Sequence, residues 1–219
     1  MIACCLESLD SLGKNKSSGD IVREEYTIDP ENEKNYVQMM NSLNSSKQAE
    51  LGTVVRICRK GIKWKSVSFT IPTAPVPSHR PRLSNNRIYV PGAAKNATYF
   101  NRHVLPTLNG LMISTPCKVD LRLYIKTPSS FSKIQACMAE IGLIRPWTRN
   151  GDVDNFEKAI YDQIQPNEKR GHVGILADDS LIIENHTQKF YSVNPRSEVT
   201  ITYMDSIPQK LLHILRLDK

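Results

Sequence analysis

Between Glu50 and Asp120 the sequence has no acidic residue: sixty-nine consecutive positions carry eleven lysines and arginines and not one carboxylate. A stretch that cannot neutralise its own charge points to a polyanionic partner, phosphate above all. The opposite bias holds at the start, where residues 1–50 carry five basic against nine acidic side chains, a net of −4. Over its 219 residues the chain is +7 at pH 7, with a pI of about 9.2.

Other shortages narrow the classes further. No run of about 18 apolar residues occurs, which excludes a membrane-spanning helix. No basic and apolar leader precedes the MIACC at the start, so secretion is not expected. The five cysteines, Cys4, Cys5, Cys58, Cys117 and Cys137, are odd in number and form no C-x-x-C. That excludes a disulfide framework or zinc site and implies a reducing, cytoplasmic compartment. The five histidines are scattered without metal-ligand spacing, and no internal repeat is visible.

What the chain does have is strand alternation and one dense acidic motif. Val119, Leu121, Leu123 and Ile125 alternate with polar neighbours across 118–126, and Val67, Phe69 and Ile71 do so across 67–71. Residues 181–191 and 198–204 read as two more strands with Asn194-Pro195-Arg196 as their turn. Helices are predicted over 95–105, ended or kinked by Pro106, over 131–143, and over 154–164, where Phe156, Ala159, Ile160 and Ile164 share a face. The stretch IPTAPVPSHRPRLSNNRIYVPG, broken throughout by proline and Asn-Asn, reads as a loop. Its Arg80, Arg82 and Arg87, with Lys95 and Arg102 beyond it, are candidate contacts to a nucleic-acid backbone. Arg56 to Lys65 is a basic patch, read as a phosphate-contacting arm or a linker.

The predicted fold is therefore α+β, a small mixed sheet with helices packed against it. The expected domains are residues 1–65 as a weakly ordered or small helical accessory segment, 66–204 as the core with an insert at 127–150, and 205–219 as an amphipathic helix.

The acidic motif is GDVDNFEKAIYDQIQPNEKRGHVGILADD, residues 151–179. Asp152 and Asp154 stand one residue apart at a helix entrance, Lys158 follows Asp154 by one helical turn, and Asp178-Asp179 closes the stretch. Carboxylates gathered together repel unless a proton or cation intervenes. Mg²⁺, which takes hard oxygen ligands and keeps its waters, fits such a set. It would polarise a phosphoryl oxygen and activate water, with Lys158 stabilising charge on the phosphoryl group or orienting the water. Plain helix capping by Asp154 or Asn155, with an Asp-Asp turn before a strand, explains the same residues and stays open. An EF-hand does not, because Glu157 falls where glycine is required and Gln163 where the bidentate glutamate belongs.

D-x-D-N-x-x-x-K-x-x-x-D, followed by an Asp-Asp pair, a strand and Lys189, resembles the RusA-type Holliday junction resolvases. The upstream RPRLSNNRIYVPG followed by a helix is similar to that family's amino-terminal segment. The resemblance covers roughly residues 67–204. It implies a RusA-like fold with Asp152, Asp154 and Asp179 as metal-binding carboxylates, Asp178 as a further candidate, and Lys158 as the catalytic lysine. It also implies a homodimer using Mg²⁺, with Mn²⁺ as a substitute, to nick four-way DNA junctions in symmetric pairs, whether encoded by a cell or by a phage or other mobile element. A non-catalytic DNA-binding protein on the same scaffold, or a nuclease acting on flaps or RNA, are the alternatives. Gly151 departs from the family, whose members often have proline there.

Overall fold

Burial alternates strictly along residues 117–123: Cys117, Val119, Leu121 and Leu123 are buried while Lys118, Asp120 and Arg122 are not, the period of a strand with one face on a core. The computed structural model describes residues 21–22, 30–78, 82–84, 87–89, 98–147, 151–167 and 173–215. In chain order its elements are β1 (Ile21–Val22), α1 (Pro30–Ser42), α2 (Ser45–Gly61), β2 (Lys63–Ile71), β3 (Arg82–Ser84), β4 (Arg87–Tyr89), β5 (Cys117–Lys126), α3 (Lys133–Glu140), α4 (Val153–Ile164), β6 (Ile182–Ser192), β7 (Arg196–Ser206) and α5 (Gln209–Leu212).

One sheet has the order β1-β2-β7-β5-β6, and β3 and β4 form a separate two-stranded ribbon. The larger sheet is mixed. β5 and β6 run parallel, with Val119 opposite Asn185 and Leu123 opposite Lys189. β1 pairs antiparallel with β2. Between β2 and β7, Ser66 bonds Thr202 and Ser68 bonds Thr200, each at 2.8 Å, so residue numbers rise on one strand as they fall on the other. An α+β fold with a mixed sheet is what the sequence pattern predicts.

The chain divides into two compact units, Val67–Ile201 and Gly19–Ser66 with Thr202–Lys219, and β2 and β7 each supply residues to both. In the second unit Lys65 pairs with Asp205 at 2.9 Å, and Trp64 and Leu211 are buried. The first unit holds the larger core. Val67, Phe69 and Ile71 of β2, Val119, Leu121 and Leu123 of β5, Phe156, Ile160 and Ile164 of α4, and Val199 and Ile201 of β7 are all buried. Each such side chain contributes about 1.5–3 kcal/mol by leaving water. Phe100 lies against Phe69 with ring centroids 5.5 Å apart.

A parallel pair needs a crossover, and here α3, α4 and the return segment 173–181 lie within it. The helix α3 starts at a capping box in which Ser132 and Gln135 satisfy each other's backbone amides. After α4 the chain turns back through Gly174, whose φ is +68°, and the amides of Ile175 and Leu176 both bond the Ile164 carbonyl. Ile113 then exchanges bonds with the return segment, accepting from Ala177 at 2.9 Å and donating to Ile175 at 2.7 Å. These contacts carry the chain to Asp178-Asp179 at the start of β6.

Three expectations need correction. The proline-rich stretch is not all loop: Arg82↔Tyr89, Leu83↔Ile88 and Ser84↔Arg87 pair as a hairpin around Asn85-Asn86, a two-residue connection that suits antiparallel pairing. The helix expected over 95–105 is irregular where it is described, a π turn at Phe100–Val104 followed by a 3₁₀ turn at Leu105–Leu108. Pro106 opens that 3₁₀ turn, where a missing N–H costs nothing, and does not end the segment. Arg56 to Lys65, read as an arm or a linker, has regular structure, forming the last turns of α2 and the first residues of β2. The helix in the 127–150 insert is shorter than expected, eight residues, because Ser132 caps it late.

A Cβ at Gly174 would lie 2.5 Å from the Gln165 carbonyl carbon and 2.6 Å from the Ile164 oxygen, both backbone atoms that cannot move alone. Gly174→Ala is therefore expected to destabilise the protein by about 1–3 kcal/mol, the usual scale of overpacking. Gly52, inside α2 with nothing within 4 Å, is the control; Gly52→Ala should stabilise by up to about 1 kcal/mol. Urea unfolding midpoints of the two variants should move in opposite directions at unchanged m-value.

Candidate active site

α4 is amphipathic: Phe156, Ile160, Gln163 and Ile164 are buried, while Asp154, Lys158 and Asp162 are exposed. Its entrance is fixed by backbone contacts. Gly151 has φ +90°, a conformation proline cannot adopt, and a Cβ there would stand 2.9 Å from Pro77 and 3.1 Å from the Phe156 ring. The departure from the family's proline is thus a different way of turning into the helix. The amide of Ser78 bonds the Asn155 carbonyl at 2.8 Å, so the segment leading to the β3–β4 hairpin is tied to the first turn of α4. Lys189, from β6, donates from Nζ to the Gly151 carbonyl at 3.0 Å.

Asp152 occupies the N-cap position with extended backbone, yet its side chain makes no capping bond. Capping therefore does not account for its carboxylate. Asp154 lies in the first turn, where a negative charge is favoured by the helix dipole. The side chains of Asp152, Asp154 and Lys158 are exposed, with no hydrogen bond or ion pair to another described residue.

The second acidic pair divides its labour. Asp178 caps the 3₁₀ turn Asp179–Leu181, accepting from the Ser180 amide at 2.8 Å. Hydrogen bonds from the Ser180 hydroxyl and then its amide hold the Asp178 carboxyl below the usual range. Asp179 is exposed and has no such duty. It belongs to an electrostatic neighbourhood centred on the Tyr161 hydroxyl, which is buried without a partner among the described residues. Burial first, then the charges of Glu157, Cys117 and Asp179, push the Tyr161 phenol up, so it stays protonated and can act only as a neutral group. The Cys117 thiol is pushed up to about 11 by burial and is inert as a nucleophile.

These contacts orient α4 against β6. Lys189, late in β6, meets Gly151 at the start of α4, whereas the segment leading to Asp179 bonds the Ile164 carbonyl at the end of α4. Asp152 and Tyr161 are separated by a rise of roughly 13 Å along the helix. No group of three or more His, Cys, Asp or Glu side chains among the described residues is arranged to hold a metal. Asp152 and Asp154 share one end of α4.

Of the basic candidates, Arg102 is exposed on the π turn and Arg82 and Arg87 lie in the hairpin strands; Arg80 and Lys95 fall outside the described residues. Sequence reasoning passed over three features: the bond from Lys189, the buried hydroxyl of Tyr161, and the wedge of Gly151 against Pro77. Tyr161 carried a signal, seven residues after Asp154 and three after Lys158, hence on their face of the helix. The Lys189 and Pro77 contacts are tertiary and left none.

The family described as Endodeoxyribonuclease RusA matches residues 72–202 of this chain. That span contains the hairpin, the acidic motif, Asp178-Asp179 and Lys189, and leaves out α1 and α2. A relative from Bacillus subtilis (strain 168), described as the uncharacterized protein YqaN, is 34% identical over 143 residues, covering 62% of this chain and 94% of that protein.

Because the Asp178 carboxyl is depressed on folding, it adds stability above its unfolded value near about 3.9, and that gain is lost as pH falls through the lower folded value. Asp178→Ala should therefore be less stable than the unaltered protein at neutral pH. Urea midpoints of the two proteins should converge on acidification below about pH 4. Asp178→Asn, which caps as well, should lose much less.

Proposed function

Since the chain belongs to the RusA family of endodeoxyribonucleases, we propose that it is a Mg²⁺-dependent, structure-selective DNA endonuclease that resolves four-way junctions as a homodimer. The observation that carries this reading is that the N-cap carboxylate of α4, Asp152, performs no capping. An unpaired pair of aspartates at a helix entrance, kept out of structural bonds, is available for a hard cation. Mg²⁺ is commonly held by one or two carboxylates with water and substrate phosphate, so Asp152 and Asp154 suit it by chemistry. When bound, the cation supplies polarisation of the scissile phosphoryl group and activation of the attacking water. Lys158, one turn beyond Asp154, faces the same phosphate and stabilises its charge. Arg82, Arg87 and Arg102, with Arg80 and Lys95, track the DNA backbone from the acid-free stretch. Residues 66–204 are the nuclease domain in this reading, with 1–65 and 205–219 as additions to it.

Asp179 enters through the dimer. In this reading the partner supplies it, since no three-ligand group is gathered among the described residues of one chain. A two-fold axis that sets the α4 entrance of one protomer beside Asp179 of its partner completes two equivalent sites. A two-fold pair of sites matches a two-fold junction, which is the geometry that paired symmetric nicking requires.

The test is cleavage of labelled DNA in Mg²⁺ or Mn²⁺, offering a four-way junction, a linear duplex, a flap and an RNA hairpin. Paired symmetric nicks confined to the junction are expected. Junction binding without cutting would make the protein a non-catalytic DNA binder; cutting confined to flaps or RNA would replace the substrate. Asp152→Asn and Asp179→Asn should each cut at least about 100-fold more slowly and bind the junction as well or better, since less negative charge faces the phosphates. Mixing the two inactive variants should restore nicking, because each mixed dimer holds one intact site. Failure to restore it, with mixed dimers formed, would return Asp179 to its own protomer's site.

A further inference from the structure

Lys189 is the one described lysine whose ammonium is spent on a backbone carbonyl beside the acidic motif: its Nζ lies 3.0 Å from the Gly151 oxygen, in a partly buried position. It forms no ion pair with a described carboxylate. A half-buried ammonium held by a single neutral acceptor is a costly arrangement. A leucine or methionine would pack there at less cost if filling space were the whole requirement. The bond is also well placed to matter. Gly151 is the residue before Asp152, its φ of +90° admits few alternatives, and Pro77 and Phe156 close its other sides. With the carbonyl pinned, the peptide plane leading into Asp152 is fixed, and with it the direction from which that carboxylate leaves the backbone. The lysine is itself held: Arg145 donates to the Lys189 carbonyl at 3.0 Å and stacks on the Phe190 ring at 3.8 Å, and Phe190 stacks on Tyr124.

We propose that Lys189 is a positioning residue for Asp152, acting through the Gly151 carbonyl to hold the Asp-x-Asp entrance of α4 in its metal-binding orientation. This rests on the nuclease reading above. It makes a prediction of sign. If Lys189 were only a nearby positive charge, removing it would favour a divalent cation at the motif. If it positions Asp152, removing it weakens that cation's binding although the repulsion has gone.

The experiment compares the full-length protein with Lys189→Met, which keeps the aliphatic stem, and Lys189→Arg, which keeps the charge. Calorimetric titration with Mn²⁺ alone should show binding weakened about 10–100-fold in Lys189→Met, the scale of losing a residue that orients a ligand, with partial recovery in Lys189→Arg. Junction cutting should fall by a similar factor and recover partly at high Mn²⁺. Amide hydrogen exchange across residues 152–156 should quicken in Lys189→Met, while the thermal midpoint moves by no more than about 2–4 °C. Unchanged or tighter Mn²⁺ binding in Lys189→Met, or unchanged exchange at 152–156, would overturn the proposal. A merely structural role would show as a large fall in the midpoint with exchange raised throughout, and that too would overturn it. If the unaltered protein neither binds Mn²⁺ nor cuts, the nuclease reading fails; exchange at 152–156 still decides whether Lys189 fixes the Asp152 entrance.

Discussion

The parallel pairing of β5 with β6 is the constraint on which the rest of the first unit depends. Two parallel strands cannot be joined by a hairpin, so the chain must leave the end of β5 and return to the start of β6. Everything chemical in the acidic motif rides on that return: the turn at Gly151, the aspartates at the entrance of α4, Lys158 on its first turns, and Asp178-Asp179 where the return ends. The helix that covers the sheet runs back against β6, so its two ends meet opposite ends of that strand. The contacts of Lys189 with Gly151 and of the return segment with the Ile164 carbonyl follow from this one antiparallel packing.

Both ends of α4 are closed by glycines, for related reasons. At the entrance Gly151 lets the backbone pass between Pro77 and Phe156 at a positive φ; at the exit Gly174 brings the return segment against the last helical carbonyls. In each place the missing Cβ permits backbone to approach backbone or a packed ring, and hydrogen bonds use the space gained. The helix is thus located at two points by main-chain contacts that its apolar face could not specify alone. Phe156, Ile160 and Ile164 hold it to the sheet, but an apolar stripe tolerates sliding that a pinned carbonyl does not.

How much of this was legible beforehand varies with the range of the interaction. The strands at 67–71 and 118–126 and the helix at 154–164 showed in the sequence because burial with period two or 3.6 is a local pattern, and their observed bounds differ by only a few residues. The β3–β4 hairpin was missed because prolines and Asn-Asn read as loop punctuation, although a two-residue Asn-Asn connection is also what such a ribbon uses. Strand partners were not legible: β6 and β7 are joined by three residues, yet β5 lies between them in the sheet. Asp178 and Asp179 are identical side chains in adjacent positions, and only the bond to Ser180 sets them apart. Nor did the sequence say why Gly151 stands where the family often has proline; its φ of +90° and the closeness of Pro77 and Phe156 supply the reason.

Supply of Asp152 and Asp179 by two protomers, as proposed, carries a consequence for control. If the carboxylates that hold the metal come from two protomers, a lone protomer lacks a complete site and cannot nick duplex DNA as it diffuses. Assembly and competence become the same event, and a dimer of unaltered protomers carries two sites. The acid-free stretch then has a separable task. Its arginines in the hairpin and on the π turn belong to the same unit as α4, and the hairpin's leading segment is tied to α4 through Ser78 and Asn155. Phosphate contacts made by the hairpin would therefore be registered to the helix entrance by backbone. Affinity for DNA would come from residues that hold no metal, and the carboxylates, which repel phosphate on their own, would be brought to the backbone by contacts made elsewhere in the unit.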